Sequence, residues 1–242
     1  MNGFEQTAKY LLGATRPVCF DNQSEEWQYS THGSAVIIEA SDKLFAITAE
    51  HVVRGYQHDQ ILFSYVPGSE HFMPLEHVFE VKTHLDEDTD HKDIRVFSLW
   101  EDHLDRSKLP DTAYFPLSAN AAQPRTERAR YFIVGYPHYL NSTDYESYKL
   151  IHQGLIISLD LERENRFVGV DQYRFRNTGE LSSFQGFSGG GVFSITPTAP
   201  GQGNLRFEGL LVKATVESML GYVIRADFIT EYLNGIAMQT EA

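Results

Sequence analysis

Hydrophobic and polar positions alternate over short stretches along most of the chain, which is typical of β-strands with one buried face. Gly, Pro, Asp, Asn or Ser separate these stretches, as turns require. The pattern predicts strands at HGSAVIIEA, LFAITAEHVV, QILFSYV, DIRVFSLW, RYFIVGY, YKLIHQGLIISLDLE, QYRFR, GGGVFSI, LRFEGLLVKAT and GYVIR. A chain with this many short strands is expected to fold as barrels or sandwiches.

Helical periodicity is confined to the two ends of the chain, at residues 3–13 and 227–237. Between about residues 101 and 127 the alternation stops, and prolines and polar residues accumulate. This composition indicates a connector between two β-rich halves.

Composition narrows the classes of partner. Twenty basic and 33 acidic residues give a formal charge of -13, which repels phosphate backbones and anionic lipid surfaces. No run approaches eighteen apolar residues, and the first twenty lack a basic stretch followed by a long apolar one. We therefore expect no nucleic-acid partner, no membrane association and no export. The single cysteine, Cys19, cannot form an intrachain disulfide, which favours the cytoplasm.

The stretch GFSGGGVF, residues 186–193, places Ser188 among four glycines. It fits a plain glycine turn, and it also fits a nucleophile elbow of the form G-x-S-x-G. In α/β-hydrolases the histidine base follows the serine, but all ten histidines of this chain precede Ser188. Any base therefore lies upstream, and His51 stands at the end of the strong strand that begins at Phe45.

Three segments together resemble the trypsin-like (chymotrypsin-fold) serine proteases. ITAEHVV resembles the family's T-A-x-H segment around His51, and GFSGG resembles its G-x-S-G-G around Ser188. DIRVF resembles the D-I-x-V strand that carries the acid, which assigns Asp93. The order histidine, aspartate, serine is the order of that family. IVGYP, residues 133–137, resembles a strand of the stand-alone bacterial members.

The resemblance implies an all-β fold of two six-stranded antiparallel β-barrels with a short N-terminal helix and a C-terminal helix. The whole chain, residues 1–242, would form a single peptidase domain. Within it we expect an N-terminal barrel at about 28–105, a connector at about 106–127, and the C-terminal barrel and helix at about 128–237.

The implied activity is that of a serine endopeptidase acting through an acyl-enzyme intermediate, with no cofactor and no metal. His51 would take the proton of the Ser188 hydroxyl, and Asp93 would orient and stabilise the imidazole. The N–H groups of Gly186 and Ser188 would bind the oxyanion. Asp90 is a nearby alternative for the carboxylate that orients His51, but Asp93 is preferred because it directly begins the apolar strand.

The resemblance also implies a substrate cleft. Ser182 would lie at the base of the pocket, where a neutral residue gives no carboxylate for a Lys or Arg side chain. Val212, Lys213 and Ala214 would pair with an extended substrate. The expected partners are a protein or peptide substrate and a regulatory protein. We expect a regulatory partner because activation by cleavage of the chain does not suit this sequence. Phe187, the residue before the serine, cannot pair with an N-terminal ammonium that such cleavage would expose.

Other interpretations remain open. The same fold can act as a catalytically silent module that binds a peptide or protein. The acidic segment with aspartates at 86, 88 and 90 begins like a calcium loop, but it lacks the glycine and glutamate that such a loop needs, so a solvated loop is favoured. Cys19 has no local signature of a nucleophile and is expected to be a buried apolar residue.

Overall fold

The three-dimensional structure is a computed structural model. It describes residues 3–26, 28–81, 92–121, 126, 128–146, 149–164, 169–176, 181, 183–199 and 202–240. None of the helices within these ranges is long and apolar enough to cross a membrane. The acidic segment at 86–90 and Ser182 lie outside the described residues.

The first half of the chain forms one curled, mostly antiparallel sheet. Its elements are α1 (Gly3–Ala14), β1 (Thr15–Asp21), β2 (Tyr29–Ala40), β3 (Lys43–Thr48), α2 (Glu50–Val53), β4 (Ile61–Leu62), β5 (Leu75–Glu80), β6 (Arg95–Leu99) and β7 (Phe115–Pro116). The strand order is β4-β1-β2-β3-β6-β5, and β7 adds to β2 in parallel.

This sheet differs from a closed six-stranded barrel with a start near residue 28. It begins earlier, because β1 pairs with β2 from Thr15 opposite Val36. It also stays open across the described strands, since β4 and β5 do not pair. Between them the chain turns back on itself through backbone bonds from Tyr65 N–H to the His71 oxygen (2.9 Å) and from Met73 N–H to the Phe63 oxygen (2.8 Å).

The second half of the chain contains a closed barrel, a separate hairpin and two helices. Its elements are α3 (Ser118–Ala121), β8 (Arg130–Gly135), β9 (Asn141–Asp144), β10 (Lys149–His152), β11 (Leu155–Arg163), β12 (Val170–Phe175), β13 (Gly191–Ala199), β14 (Gln202–Thr215), β15 (Leu220–Arg225) and α4 (Ala226–Thr240). The barrel order is β11-β12-β15-β14-β13-β8, and β9 pairs with β10 as a separate hairpin.

The long strand predicted at YKLIHQGLIISLDLE is interrupted at Gln153 and Gly154, which separate β10 from β11. A Cβ atom on Gly154 would lie 2.6 Å from the Leu12 side chain of α1. The chain therefore passes close to the N-terminal helix, and a side chain at this point would require the end of the Leu12 side chain to shift. Both terminal helices are confirmed at close to their expected positions.

One hydrophobic core continues from the sheet into the barrel. Val36 of β2 is fully buried, and its side chain would lie 2.8 Å from a Cβ atom on Gly191 of β13. The ring of Phe115 packs on Phe193 and Phe207 of the barrel, with centroids 5.6 and 6.1 Å away. The two halves are thus joined by apolar packing as well as by the connector.

Arg16 of β1 is a fully buried cation at the end of α1. Its guanidinium donates to five backbone carbonyl oxygens from three parts of the chain, those of Gly13, Thr15, Ser64, Tyr65 and Ala113. Burial lowers the pKa of Arg16 to about 10, so the side chain is charged at neutral pH. The side chain therefore links α1, the chain after β4 and the connector.

Replacing Arg16 with lysine is expected to lower the free energy of unfolding by about 2–4 kcal/mol. The ammonium of lysine cannot donate in all the directions of the planar guanidinium, so several buried carbonyl oxygens lose their donor. Denaturant unfolding measures the change. Arg174→Lys is the control, because Arg174 forms an exposed pair with Glu162 and its replacement should leave the free energy of unfolding nearly unchanged. Equal effects of the two substitutions would contradict the role given to Arg16.

His152 of β10 is held neutral between two polar groups. Gly68 N–H donates to its Nδ1 (3.1 Å), so Nε2 carries the proton and faces the Thr31 hydroxyl at 3.1 Å. The nearby Cys19 is a neutral thiol, since burial raises its pKa to about 12. Burial lowers the pKa of His152 from 6.5 to about 4.

Stability is therefore expected to fall as the pH drops from about 6.5 to about 4. In this range the unfolded chain binds a proton at residue 152 and the folded chain does not. This difference lowers the free energy of unfolding by up to roughly 3 kcal/mol. Denaturant unfolding at about pH 7 and pH 4.5 measures it. In His152→Gln the difference between the two pH values should shrink by most of this amount, and an unchanged difference would show that other groups cause it.

Candidate active site

His51 and Asp93 are brought together by the pairing of β3 with β6. Thr48 lies opposite Arg95 in that ladder, so the residues just after β3 and just before β6 are neighbours. Asp93 Oδ1 accepts the backbone N–H of His51 (2.9 Å), and Oδ2 lies 2.6 Å from His51 Nδ1. These contacts place the imidazole proton on Nδ1 and leave Nε2 as an acceptor. The competing Asp90 lies outside the described residues.

The described charged residues next to His51 in the chain and across the sheet are paired with one another. Glu50, the preceding residue, accepts from Arg54 Nε (2.9 Å) and from Arg95 Nη2 (3.3 Å). Arg95 also binds Glu80. Asp93 is therefore the carboxylate that remains for the imidazole, whose side chain is 39% exposed and open to a ligand.

Ser188 lies in an irregular loop whose glycines are required by close backbone contacts. Gly186 has φ +96°, and a Cβ atom there would lie 2.4 Å from the Tyr136 oxygen. Gly189 has φ +82°, and a Cβ atom there would lie 1.9 Å from the Ser34 oxygen and 2.4 Å from the Thr48 hydroxyl. Only glycine fits at either position. The glycine cluster is thus explained by the backbone path of the loop.

Two backbone hydrogen bonds orient the N–H groups of this loop. His138 N–H donates to the Gln185 oxygen (2.9 Å), and Gly190 N–H donates to the Phe187 oxygen (2.8 Å). In a trans peptide the C=O and N–H point in opposite directions, so the N–H groups of Gly186 and Ser188 face away from these partners. Within the described part of the chain, neither of the two N–H groups donates a hydrogen bond. Both are available to an oxygen of a ligand, as an oxyanion hole requires.

The two sets of residues meet at the junction of the halves. A Cβ atom on Gly33 would lie 2.6 Å from the side chain of Val52, the neighbour of His51, and 3.1 Å from the Ser188 oxygen. The Ser188 hydroxyl donates to the Val212 oxygen at 3.4 Å. Among the described residues, it is not hydrogen-bonded to His51. Catalytic hydrogen bonds are often long or absent before a substrate binds.

The predicted cleft residues Val212, Lys213 and Ala214 lie on β14 beyond the point where β13 stops pairing with it, at Leu210. On the other edge, β14 continues to pair with β15 as far as Thr215, with a bulge at Val212. The edge that faces the Ser188 loop can therefore receive an extended peptide as a further strand. Ser182, the predicted pocket base, lies outside the described residues.

Two residues at the site have no counterpart among the sequence predictions. Ser34 donates its hydroxyl to the Gly186 oxygen (2.7 Å), and Tyr136 donates its N–H to the same hydroxyl (2.8 Å). A serine inside an apolar strand gives no local signal of this contact, because its partners are more than 100 residues away. No group of three or more potential metal ligands occurs among the residues that the structure describes.

No protein-family model matches the sequence, and no curated protein is similar to it. Among solved structures, the chain is similar to the active form of the Rv3671c protease from M. tuberculosis, with a TM-score of 0.50 and 15% identity over 91% of this chain and 79% of that one. It is also similar to the inactivated protease paralogue S-D1 of the scabies mite, with a TM-score of 0.59 and 13% identity over 98% and 95% of the two chains. The trypsin-like fold is thereby confirmed.

Replacing Gly189 with alanine is expected to lower the free energy of unfolding by at least about 2 kcal/mol more than replacing Gly55. Both glycines have positive φ, +82° and +89°, so an L-residue is strained at either. Only Gly189 is enclosed by the Ser34 and Thr48 oxygens, whereas nothing lies within 4 Å of a Cβ atom at Gly55. Denaturant unfolding of the two variants measures the difference. Similar losses would show that close packing does not require Gly189.

Proposed function

We propose that this protein is a serine endopeptidase that hydrolyses peptide bonds in protein substrates through Ser188, His51 and Asp93. The observation that carries the proposal is the loop of Ser188. It holds two backbone N–H groups that donate to no group among the described residues, beside a serine hydroxyl and near an imidazole that a carboxylate fixes in the Nδ1–H tautomer. This arrangement is suited to acyl transfer.

The reaction follows from these positions. The Ser188 hydroxyl turns from Val212 toward His51, and its oxygen attacks the substrate carbonyl carbon while Nε2 takes the proton. The negative oxygen of the tetrahedral intermediate accepts from the N–H groups of Gly186 and Ser188. His51 then gives the proton to the leaving amine, and the C–N bond breaks. A water molecule then attacks the carbonyl carbon of the acyl-enzyme while His51 takes its proton. His51 returns this proton to the Ser188 oxygen as the bond to the acyl group breaks.

The substrate proposal rests on the free edge of β14. Main-chain pairing with Val212, Lys213 and Ala214 would hold an extended peptide next to the Ser188 loop. Such pairing is independent of side chains, so it suits a protein substrate of varied sequence.

Control is proposed to act through a protein partner or a rearrangement of residues 180–187. Phe187 is fully buried, and a Cβ atom on Gly135 would lie 2.6 Å from its ring. The position before Ser188 is thus filled by an aromatic side chain, which cannot bind an ammonium group as a carboxylate does. The free, buried Cys19 supports a cytoplasmic location.

A second candidate function is peptide binding without turnover. It is favoured by one observation, the hydrogen bond of the Ser188 hydroxyl to Val212 in place of His51. The similarity to an inactivated paralogue agrees with it. The free edge of β14 would then bind a partner segment that is not cleaved.

Labelling by a fluorophosphonate probe separates the two functions, because only an activated serine reacts. The wild-type protein is expected to be labelled, whereas Ser188→Ala and His51→Ala should each fall to the background. The double variant should lose nothing further, since the two residues act as one unit. Ser142→Ala, at an exposed position on β9, is the control and should be labelled like the wild type.

A folded wild-type protein that is not labelled would favour the silent binding module. Losses that add in the double variant would contradict the shared role of Ser188 and His51. Cleavage of a mixed peptide library, followed by mass spectrometry, then distinguishes an endopeptidase from an esterase.

A further inference from the structure

Ser34 of β2 makes four hydrogen bonds while fully buried. Its N–H donates to the Ser188 oxygen (2.8 Å), and its carbonyl accepts from the Thr48 hydroxyl (2.6 Å). Its own hydroxyl accepts from Tyr136 N–H (2.8 Å) and donates to the Gly186 oxygen (2.7 Å). One residue of the N-terminal sheet therefore contacts the Ser188 loop, β3 and the end of β8.

The direction of the two side-chain bonds is fixed by their partners. A backbone N–H can only donate, so the hydroxyl must accept from Tyr136. A carbonyl can only accept, so the hydroxyl proton must go to Gly186. The side chain thus bridges two backbone groups that would otherwise be buried without partners. Tyr136 follows the last residue of β8, so its N–H has no partner in the barrel ladder.

The bridge acts on Gly186, a glycine of the Ser188 loop. The peptide before Gly186 is held by His138 N–H at the Gln185 oxygen, and the peptide after it is held by Ser34 at the Gly186 oxygen. A glycine at φ +96° rotates at little steric cost. Without the second contact, the loop could turn at Gly186 and re-aim the N–H groups that flank the serine.

We infer that Ser34 is a positioning residue whose hydroxyl keeps the oxyanion-binding N–H groups of Gly186 and Ser188 oriented before substrate binds. This inference rests on the proposed function. It assigns to the N-terminal sheet a part in forming an oxyanion hole whose donors belong to the other half of the chain. Electrostatic stabilisation of this kind depends on donors that are already in place.

The test compares Ser34→Ala and Ser34→Cys with the wild type in fluorophosphonate labelling. Alanine removes the hydroxyl and leaves a small space, whereas cysteine puts a slightly larger atom there that is only a weak hydrogen-bond donor and acceptor. A loss shared by both variants therefore points to the hydroxyl's hydrogen bonds rather than to packing. We expect the maximal labelling rate constant to fall about 10- to 100-fold, with the probe concentration at half-maximal rate unchanged. Outright removal of one oxyanion donor costs roughly 100- to 1000-fold, so loss of its support should cost less.

Ser194→Ala is the matched control. Ser194 of β13 is also buried, and its hydroxyl donates to the Glu208 carboxylate at 2.6 Å rather than to a group of the Ser188 loop. Its labelling rate constant is expected to stay within about threefold of the wild-type value. Hydrogen exchange gives a readout that needs no activity: the protected amides of Phe187, Gly189 and Gly190 should exchange faster in both Ser34 variants than in the control.

Unchanged labelling in a folded Ser34→Ala protein would overturn the inference, and so would equal losses in Ser34→Cys and Ser194→Ala. If both Ser34 variants are unfolded at room temperature, the residue is structural and the inference is also wrong. If the wild type is not labelled at all, the proposed function fails instead. Hydrogen exchange then decides alone, and identical exchange of the loop in wild type and Ser34→Ala would refute the coupling.

Discussion

The loop from Phe184 to Gly190 belongs to no sheet, so its peptide groups must be oriented one by one. His138, which follows β8, binds the Gln185 oxygen, and the Leu211 oxygen on β14 accepts Gly189 N–H at 2.7 Å. Ser34 on β2 binds both the Gly186 and Ser188 oxygens. The bonds come from three strand regions, those of β2, β8 and β14, so the loop adopts this shape only when strands from both halves are in place.

This dependence explains why the junction between the halves is so closely packed. The imidazole and its carboxylate belong to the N-terminal sheet, and the serine belongs to the loop that leads into β13. Their separation is set by contacts such as Val36 against Gly191 and Phe115 against Phe193. Arg16, which is fully buried, links three further parts of the chain through their carbonyl oxygens. A buried cation is costly unless its donors are satisfied, and here backbone carbonyls of α1, of the chain after β4 and of the connector accept from it.

Alternation and helical periodicity predicted a β-rich chain with a helix at each end. The trypsin-like fold and the assignment of Asp93 to His51 came from the resemblance of three short motifs to that protease family, and in the structure Asp93 Oδ2 lies 2.6 Å from His51 Nδ1. Strand β1 was missed because Pro17 interrupts its pattern, and the structure shows a register irregularity at that point. The open edge of the N-terminal sheet was missed because strand closure depends on how residues 63–73 turn back on themselves. Ser34 carries no local signal, since a buried serine gains its role only from distant partners.

Of the two similar solved structures, one is the active form of a protease and the other is an inactivated paralogue. In the present structure the Ser188 side chain is turned toward Val212. Its hydroxyl lies 3.4 Å from the Val212 oxygen, which is longer than the usual 2.5–3.0 Å for a hydroxyl donor. A bond of this length is weaker than the roughly 1 kcal/mol of an ordinary net hydrogen bond. Rotation of the hydroxyl away from Val212 therefore costs little, while Asp93 already holds the imidazole and two backbone bonds already orient the N–H groups. The side-chain torsion of Ser188 is thus the least constrained part of the site. Its value in the absence of substrate is only a weak argument for peptide binding without turnover.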